Sequence, residues 1–502
     1  MRNRLLAICA ALLAIELAFL PLPGIEHDEA LFVMPWLQSN AALYSWHIGK
    51  LDVPVMSMAY LGAVKSWLYW PLFRVWRPGV WSMRLPECFI SILILVLFAD
   101  LARRVSSARI ALAAALFLAA DGVFIMANLF DTTASLQLLG AAALLNLLAR
   151  RRFAAACFVA GISLWTKASF LFPLAGIALA FALVYPRSVL QAATLRNLAL
   201  SMAALIAGAA PLIDFNLRNH AATLQATGSL ISVPPAEKVM MMRRTLDGRA
   251  YEHFMFRSTP GEILPMQGAS LGDLALRWYR DSAFHPGSFL LPALGLALLG
   301  LPVLRGSPLF QPVLFAWAAF AGTFLSMFFL ADAGAGPHHT VLVYPAPHFI
   351  VAATAAALCA KLPYWRGIAF ATCCVLIAGS GLCLLGQYYR AGLRNGFSVF
   401  WTDGLSNLAR QVRAEGRPAA VVDWGIYNGL RIETGGQREI SEDPTPREEV
   451  VYVSHCPGYM IDESRYRDFE HILGASRLHV SDLRNIPDRQ GHPVFCIFRL
   501  QQ

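Results

Sequence analysis

Apolar runs close to the length of a membrane-crossing helix recur through the first three quarters of the chain, separated by short polar turns. A helix needs about 20 apolar residues to cross a hydrocarbon core. Runs near that length lie at Leu5–Pro23, Leu85–Leu101, Ile110–Met126, Ala134–Leu148, Ala154–Trp165, Phe170–Tyr185, Leu198–Ile213, Phe289–Leu304, Pro312–Leu330, Thr340–Cys359 and Ile368–Leu385. The pattern predicts about 11 spans. The two around Thr166-Lys167-Ala168 are short and also fit a hairpin that stops part-way across. Two connections break the rhythm. Gly24–Arg84 is long and half apolar, and Val53–Trp76, rich in Tyr, Trp and Leu with Lys65 and Arg74 interspersed, suits helices lying in the interface plane. Asp214–Pro286 is polar, contains Pro234-Pro235 and many Met, and shows no clear period, so it is expected to be a partly mobile cover.

From about residue 387 the pattern becomes that of a soluble chain. This tail holds fourteen arginines, no lysine and fifteen acids. Ala419–Asp423, Glu449–Ser454 and Val494–Phe498 read as strands of a small α/β domain; no GxGxxG turn follows Val422, so a dinucleotide site is not expected there. The expected fold class is an α-helical polytopic membrane protein with a small C-terminal soluble α/β domain, divided as 1–386 and 387–502.

Composition agrees with that division. Hydrophobic residues make up 57% of the 502 and charged residues only 15%, against about 25% in ordinary globular domains, and mean hydropathy is +0.51. A soluble enzyme is excluded. The net charge of +9 is not gathered into basic runs interleaved with aromatics, which argues against nucleic acid as a partner. It lies instead in the turns: Arg103, Arg104 and Arg109; Arg150, Arg151 and Arg152; Arg187 and Arg196; Arg305; Lys361 and Arg366. With Arg2 and Arg4 in the cytoplasm, one alternating scheme places all of these on the same side. The tail and Gly24–Arg84 then lie outside, as in a multi-pass protein of the bacterial inner membrane. Pro21-Leu-Pro-Gly after the first apolar run does not resemble a cleavage site, so that run reads as an uncleaved span. Of nine cysteines, seven lie in apolar runs; Cys456 and Cys496 lie in the tail and are able to pair if it is outside the cytoplasm.

Candidate chemistry begins where the first span ends, in Gly24-Ile-Glu-His-Asp-Glu-Ala-Leu31. Four ionisable groups at a membrane exit are costly unless they face water, a partner or a substrate. The plain alternative is that they cap a helix at the interface. Further ionisable residues flank span ends on the same side: Arg84, Asp131, Lys167, His338 and His339, with Lys65 on the interfacial stretch. Acids and cations on one face suit transfer of a group from a membrane-bound phosphate, where a carboxylate deprotonates a hydroxyl and cations neutralise the leaving phosphate. Interface snorkelling or helix capping explains each cation or acid equally simply. Two adjacent histidines point in different directions on a helix or strand, so only one of His338 and His339 is expected to enter a site.

The order of these motifs resembles that of the C-superfamily of membrane glycosyltransferases, in particular protein O-mannosyltransferases and lipid A aminoarabinose transferases. Asp28-Glu29 after the first span matches that family's first acidic motif, and Asp131 in Asn128-Leu-Phe-Asp-Thr-Thr the second. Trp81-Ser-Met-Arg-Leu-Pro86 matches its Arg-Leu-Pro opening of the second span, and Gly161-Ile-Ser-Leu-Trp-Thr-Lys-Ala168 its Thr-Lys turn. His338-His339 before Tyr344-Pro345 stands where many members carry an Arg-Tyr pair. The resemblance covers about residues 1–385. It implies an inverting transferase that moves a sugar from a polyprenyl-phosphate donor to a lipid, glycan or protein acceptor hydroxyl outside the membrane. Asp28 would be the general base, with Glu29 orienting it or the acceptor and Asp131 holding acceptor or donor. Lys167, Arg84, His338, His339 and Lys65 would meet the donor phosphate. Some relatives hold a divalent metal; no ligand spacing fixes one in this sequence, so no metal or other cofactor is assigned. A lipid-linked sugar transporter, which would show paired half-repeats, and a surface-polysaccharide polymerase or ligase are the alternative functions.

Overall fold

The computed structural model describes residues 1–38, 41–130, 133–227, 233–257, 287–330, 332–436 and 439–502. Helix α1 (Arg2–Phe19) is followed by a turn and the single-turn α2 (His27–Ala30). Strands β1 (Tyr44–Ile48), β2 (Leu51–Met58) and β3 (Leu61–Gly62) form an antiparallel sheet that leads into α3 (Val64–Val75). The apolar body comprises α4 (Val80–Val105), α5 (Ala108–Ala119), α6 (Gly122–Phe130), α7 (Ala134–Ala149), α8 (Phe153–Thr166), α9 (Leu171–Val184) and α10 (Leu195–Arg218). It continues through α11 (Pro235–Leu246), α12 (Leu290–Leu299), α13 (Phe310–Met327), α14 (Pro337–Thr340), α15 (Ala346–Ala360) and α16 (Arg366–Arg394).

A helix stands at every stretch expected to cross. Helices α4, α10, α13 and α16 are each long and apolar enough to do so alone. Three further helix pairs are long and apolar enough only when taken together, and each pair is bent. The α5–α6 pair turns by 62° at Asp121, whose Oδ1 accepts the Phe124 N–H at 3.0 Å and restarts the helix. The segment ending at Val184 turns by 104° into Pro186–Ala192, and Pro337–Val343 meets α15 at 40°. Helices α8 and α9 have 14 residues each, about 21 Å of rise against a hydrocarbon core of about 30 Å. Their shortness is matched by close packing. A β-carbon at Gly161 of α8 would lie 2.4 Å from Leu205 O, and one at Gly208 of α10 would lie 2.3 Å from Phe158 O. Small residues let the two backbones touch, which drives helix association where no hydrophobic effect operates.

The two ends of this bundle differ chemically. At one end Asp100 collects Arg103 at 2.9 Å, Arg104 at 2.7 Å and Arg150 at 3.0 Å, so the first two basic turns share a face. At the other end the β1–β3 sheet sits on the turn between α8 and α9. Leu61 forms an antiparallel bridge with Lys167, Ala168 N–H donates to Tyr60 O at 3.0 Å, and Trp165 Nε1 donates to Val55 O at 2.9 Å.

The expectation of interfacial helices across Val53–Trp76 holds only for α3. Residues up to Gly62 are extended. The two-residue Gly49-Lys50 turn, with Gly49 at φ +64° and Ile48 opposite Leu51, favours a hairpin because its twist matches the strands. The expectation of an aperiodic cover at Asp214–Pro286 is also corrected in part: α10 runs on to Arg218 and Pro235–Leu246 is helical. Lys238 on that helix is buried, donating to Met327 O at 3.0 Å. The rest of the stretch, at 258–286, lies outside the described residues.

Beyond α16 the tail folds as α17 (Gly404–Glu415), β4 (Ala419–Val421), α18 (Tyr427–Thr434), β5 (Ile440–Ser441), β6 (Val451–His455), α19 (Glu463–Gly474), β7 (His479–Pro487) and β8 (Pro493–Gln501). The sheet order is β5-β4-β6-β8-β7, with β4 parallel to both of its neighbours and the remaining pairs antiparallel. The three strands read from the sequence are β4, β6 and β8. The short β5 and the exposed edge strand β7, polar on both faces, carry no apolar alternation to betray them. One face of the sheet buries Leu405, Leu408, Val421, Val453 and Ile497 in the same cluster as Ile25, Ala30, Phe32 and Val33, so the tail and the acidic turn share a core. Cys456 and Cys496 are joined in a disulfide that closes 40 residues. Cys456→Ser should lower the unfolding free energy of the tail by about 2–4 kcal/mol, read as an earlier thermal transition under non-reducing conditions; an unchanged transition would mean that the bond contributes nothing.

Candidate active site

The acidic turn is held from beneath by a buried ion pair. Arg84 in the first turns of α4 is wholly buried, and every N–H of its guanidinium is used. Nε and Nη2 donate to the two oxygens of Glu29 at 2.6 and 2.7 Å. Nη1 donates to Leu20 O and Pro23 O, both at 2.9 Å, and Nη2 also to Gly24 O at 2.7 Å. The cation lies over the Phe130 ring. Glu29 closes the turn from within: Glu26 Oε2 accepts the Glu29 N–H at 2.8 Å and Glu29 Oε2 accepts the Glu26 N–H at 3.4 Å, a reciprocal capping box. With Glu29 pointing inward, its neighbour Asp28 is exposed.

The tail covers the other side of the turn. Gly24 N–H donates to Trp401 O at 2.8 Å. A β-carbon at Gly24 would lie 2.0 Å from Thr402 O, so only glycine lets the two backbones meet. His27 packs its ring against Trp424, centroids 4.8 Å apart. Burial lowers the His27 imidazole below its ordinary range, against the pull of Asp28. Glu26 is pushed well above the usual carboxylate range by burial and then by the charge of Asp28. Tyr60, in the turn between β2 and β3, is raised by burial and by the same charge. The Tyr60 backbone is bonded to the Lys167 turn. Lys167 is half-buried and near enough to His338 for its charge to act on that ring.

Two of the expected phosphate ligands are corrected. Arg84 has no donor left for a substrate, because a buried guanidinium must satisfy all its N–H groups within the protein. Lys65 is buried against Glu87 at 2.8 Å and over the Phe32 ring; Glu87 also accepts from Tyr69 and Ser135, each at 2.6 Å. Both cations hold the interior together. Glu29, expected to orient Asp28 or the acceptor, gives both oxygens to Arg84. Asp28, Tyr60, Lys167 and His338 are brought to one end of the bundle. His338 lies over Gly336, and the His339 ring, 6.4 Å from that of Phe172, packs edge-on against the His338 ring with centroids 4.2 Å apart, so the two adjacent rings meet instead of pointing apart. Asp131 lies outside the described residues. No group of three or more metal-ligating side chains occurs among the described residues.

No family model and no curated protein match the sequence. Solved structures do. ArnT from Cupriavidus metallidurans, bound to undecaprenyl phosphate, aligns over 98% of this chain and 97% of its own, with 13% identity and a TM-score of 0.58. Its apo state gives the same values. The chain has the ArnT fold. The apo oligosaccharyltransferase of Archaeoglobus fulgidus aligns at 11% identity over 90% of this chain and 69% of its own, with a TM-score of 0.48, too loose a likeness to carry an argument. The polytopic fold expected from the motif order, with its C-terminal domain, is thus the fold found.

Within this ArnT-like frame lies a set of residues that motif reading passed over. Asn128 near the end of α6 has both amide atoms buried without a partner among the described residues, and Thr133 Oγ1 and Gln137 Oε1 are in the same state. Gln137 Nε2 donates to Ser169 Oγ at 2.8 Å, which ties this polar strip to the Lys167 turn. Unpartnered buried polar atoms are rare in folded chains; four of those among the described residues lie on Asn128, Thr133 and Gln137. The available signal was an Asn and a Gln inside otherwise apolar runs. Arg84→Ala would leave Glu29 as an uncompensated buried charge and should cost about 3–5 kcal/mol, measured by thermal unfolding in detergent. A variant as stable as the unaltered protein would deny the pair this role.

Proposed function

We propose that the chain is an inverting glycosyltransferase that moves a sugar from a polyprenyl-phosphate donor to an acceptor hydroxyl at the outer face of the membrane. The observation that carries this reading is the position of Asp28. It is an exposed carboxylate on a turn immobilised by Glu29 and Arg84, at the same end of the bundle as Tyr60, Lys167 and His338. The fold is shared with a protein solved with undecaprenyl phosphate bound, which supports a lipid-linked donor.

In the reaction, the acceptor oxygen attacks the anomeric carbon from the side opposite the phosphate. The bond from that carbon to the phosphate oxygen breaks, and the polyprenyl phosphate leaves with the electron pair. Asp28 takes the proton of the attacking hydroxyl. Phosphate is already a good leaving group, so it needs cations near it rather than a strong acid. Lys167 supplies one charge, His338 a hydrogen-bond donor, and Asp131 holds donor or acceptor. The strip of Asn128, Thr133 and Gln137 offers polar partners to the sugar.

The division at about residue 387 separates a transferase body from a soluble domain, which we place outside the cytoplasm of a bacterial inner membrane with the N-terminus inside. The arginine-bearing turns joined at Asp100 support that orientation, as does a disulfide in the tail.

Asp28→Asn should reduce transfer by about 10²–10⁴-fold while the protein still folds and binds undecaprenyl phosphate; full activity would remove Asp28 from the base role. Lys167→Ala should weaken undecaprenyl phosphate binding about tenfold, measured on the full-length protein in nanodiscs, and unchanged affinity would take the lysine out of the phosphate site.

A further inference from the structure

The β1–β2 hairpin ends in an apolar tip. Ile48 and Leu51 face each other across the Gly49-Lys50 turn and are 62% and 50% exposed. Leu43, just before β1, is exposed as well. Apolar side chains clustered at the surface mark contact with a membrane or a protein. The acid beside the tip is matched within the hairpin, since Asp52 Oδ1 lies 2.6 Å from His47 Nδ1.

The hairpin is fixed to a span with an open apolar side. Near the end of α10, Asp214 Oδ2 accepts from the Tyr44 hydroxyl at 2.8 Å and from Trp46 Nε1 at 2.7 Å. Along α10, which is long and apolar enough to cross a membrane, Leu198, Met202, Ile206, Ile213 and Leu217 are exposed at helix spacing. That is the side such a span turns to lipid. Leu217, 81% exposed, directly precedes Arg218, and Arg218 borders one open cavity of about 740 Å³ together with Leu43 and Ile48. The lipid side of α10 therefore runs on into the hairpin.

The depth is marked by aromatic residues. Trp67 lies between Trp46 and Trp165, with centroids 6.3 and 4.8 Å away. Each indole N–H is bonded, to Asp214 Oδ2, Pro54 O and Val55 O for Trp46, Trp67 and Trp165. Tryptophans gathered at the end of a helical bundle belong to the headgroup zone. Ile48 stands two residues beyond Trp46, about 7 Å along a strand, and interfacial elements bury an apolar face by about 5–10 Å.

We infer that the β1–β2 hairpin is a lipid-inserted element. Its tip enters the acyl-chain zone of the leaflet at this end of the bundle, the outer one in the orientation proposed above. Trp46 stays at headgroup level, and Lys50 reaches back to the lipid phosphates. Continuity with the open side of α10 selects lipid over a protein partner. The same sheet carries Leu61, which bridges Lys167, so the bilayer surface and the Lys167 turn are held at a fixed offset. This contact is independent of what the chain transfers.

The test places the full chain in nanodiscs whose phosphatidylcholine carries a diazirine on one acyl chain, and in a parallel sample adds a water-soluble diazirine. Adducts are mapped by mass spectrometry. Val480 and Leu483 on β7, exposed on the soluble domain, serve as reference. The acyl probe should label Ile48–Leu51 about tenfold more than β7, and the aqueous probe should do the reverse. Ile48→Asp combined with Leu51→Asp changes only exposed side chains. It should cut acyl labelling of the tip about tenfold and leave that of Leu217 unchanged. A tip that the aqueous probe labels as strongly as β7 overturns the inference. So does a tip that neither probe labels, which is the outcome for a covering protein or a second copy, and so does acyl labelling that persists in the double variant.

Discussion

The contact between Glu29 and Arg84 holds the acidic turn in the shape that everything else uses. A buried ion pair is tolerable only when geometry is good and the remaining donors are satisfied. Here two guanidinium nitrogens meet the carboxylate and the other bonds go to the carbonyls of Leu20, Pro23 and Gly24. Leu20 is the residue that ends the first helix, where C=O groups have no partner within it, and Pro23 and Gly24 belong to the turn that follows. Arg84 therefore terminates α1, anchors the turn and faces Glu29 inward in one arrangement. Two adjacent acids consequently have opposite fates: Glu29 is consumed by the fold and Asp28 is presented by it.

The soluble domain is coupled to that turn too closely to be an appendage. Backbone meets backbone at Gly24 and Trp401–Thr402, and Ile25, Ala30 and Phe32 lie in the core formed with Leu405, Leu408 and Val421. On the opposite side the β1–β3 sheet bonds the Lys167 turn. The acidic turn is thus held between two β elements rather than on a free loop, an arrangement that keeps a side chain in a fixed geometry.

A second set of polar residues lies within the bundle and has a different purpose. Glu87 satisfies Lys65, Tyr69 and Ser135, and Asp121 receives Tyr344 and His348, each at 3.2 Å. Both are internal networks that brace helices where water cannot reach. Asn128, Thr133 and Gln137 keep atoms without partners among the described residues, as does Nδ1 of His348 in the second network.

What the sequence determined by itself was periodic or compositional. The helical body follows from runs of apolar residues, the shared face of the first two basic turns from arginine placement, and the strands β4, β6 and β8 from short apolar stretches bounded by turns. The candidate site after the first apolar run was picked out in the same way, because four ionisable residues at a membrane exit need a reason. Tertiary structure alone decided which of those charges are available. Arg84 and Lys65 look in sequence like Lys167, cations near span ends, but pairing depends on what lies opposite, and Glu29 and Glu87 are 55 and 22 residues away along the chain. The partnership of His27 with Trp424 and Asn428 joins the first turn to a domain some 400 residues later. No local pattern encodes such a contact, because it forms only when two separately folded surfaces bury one another.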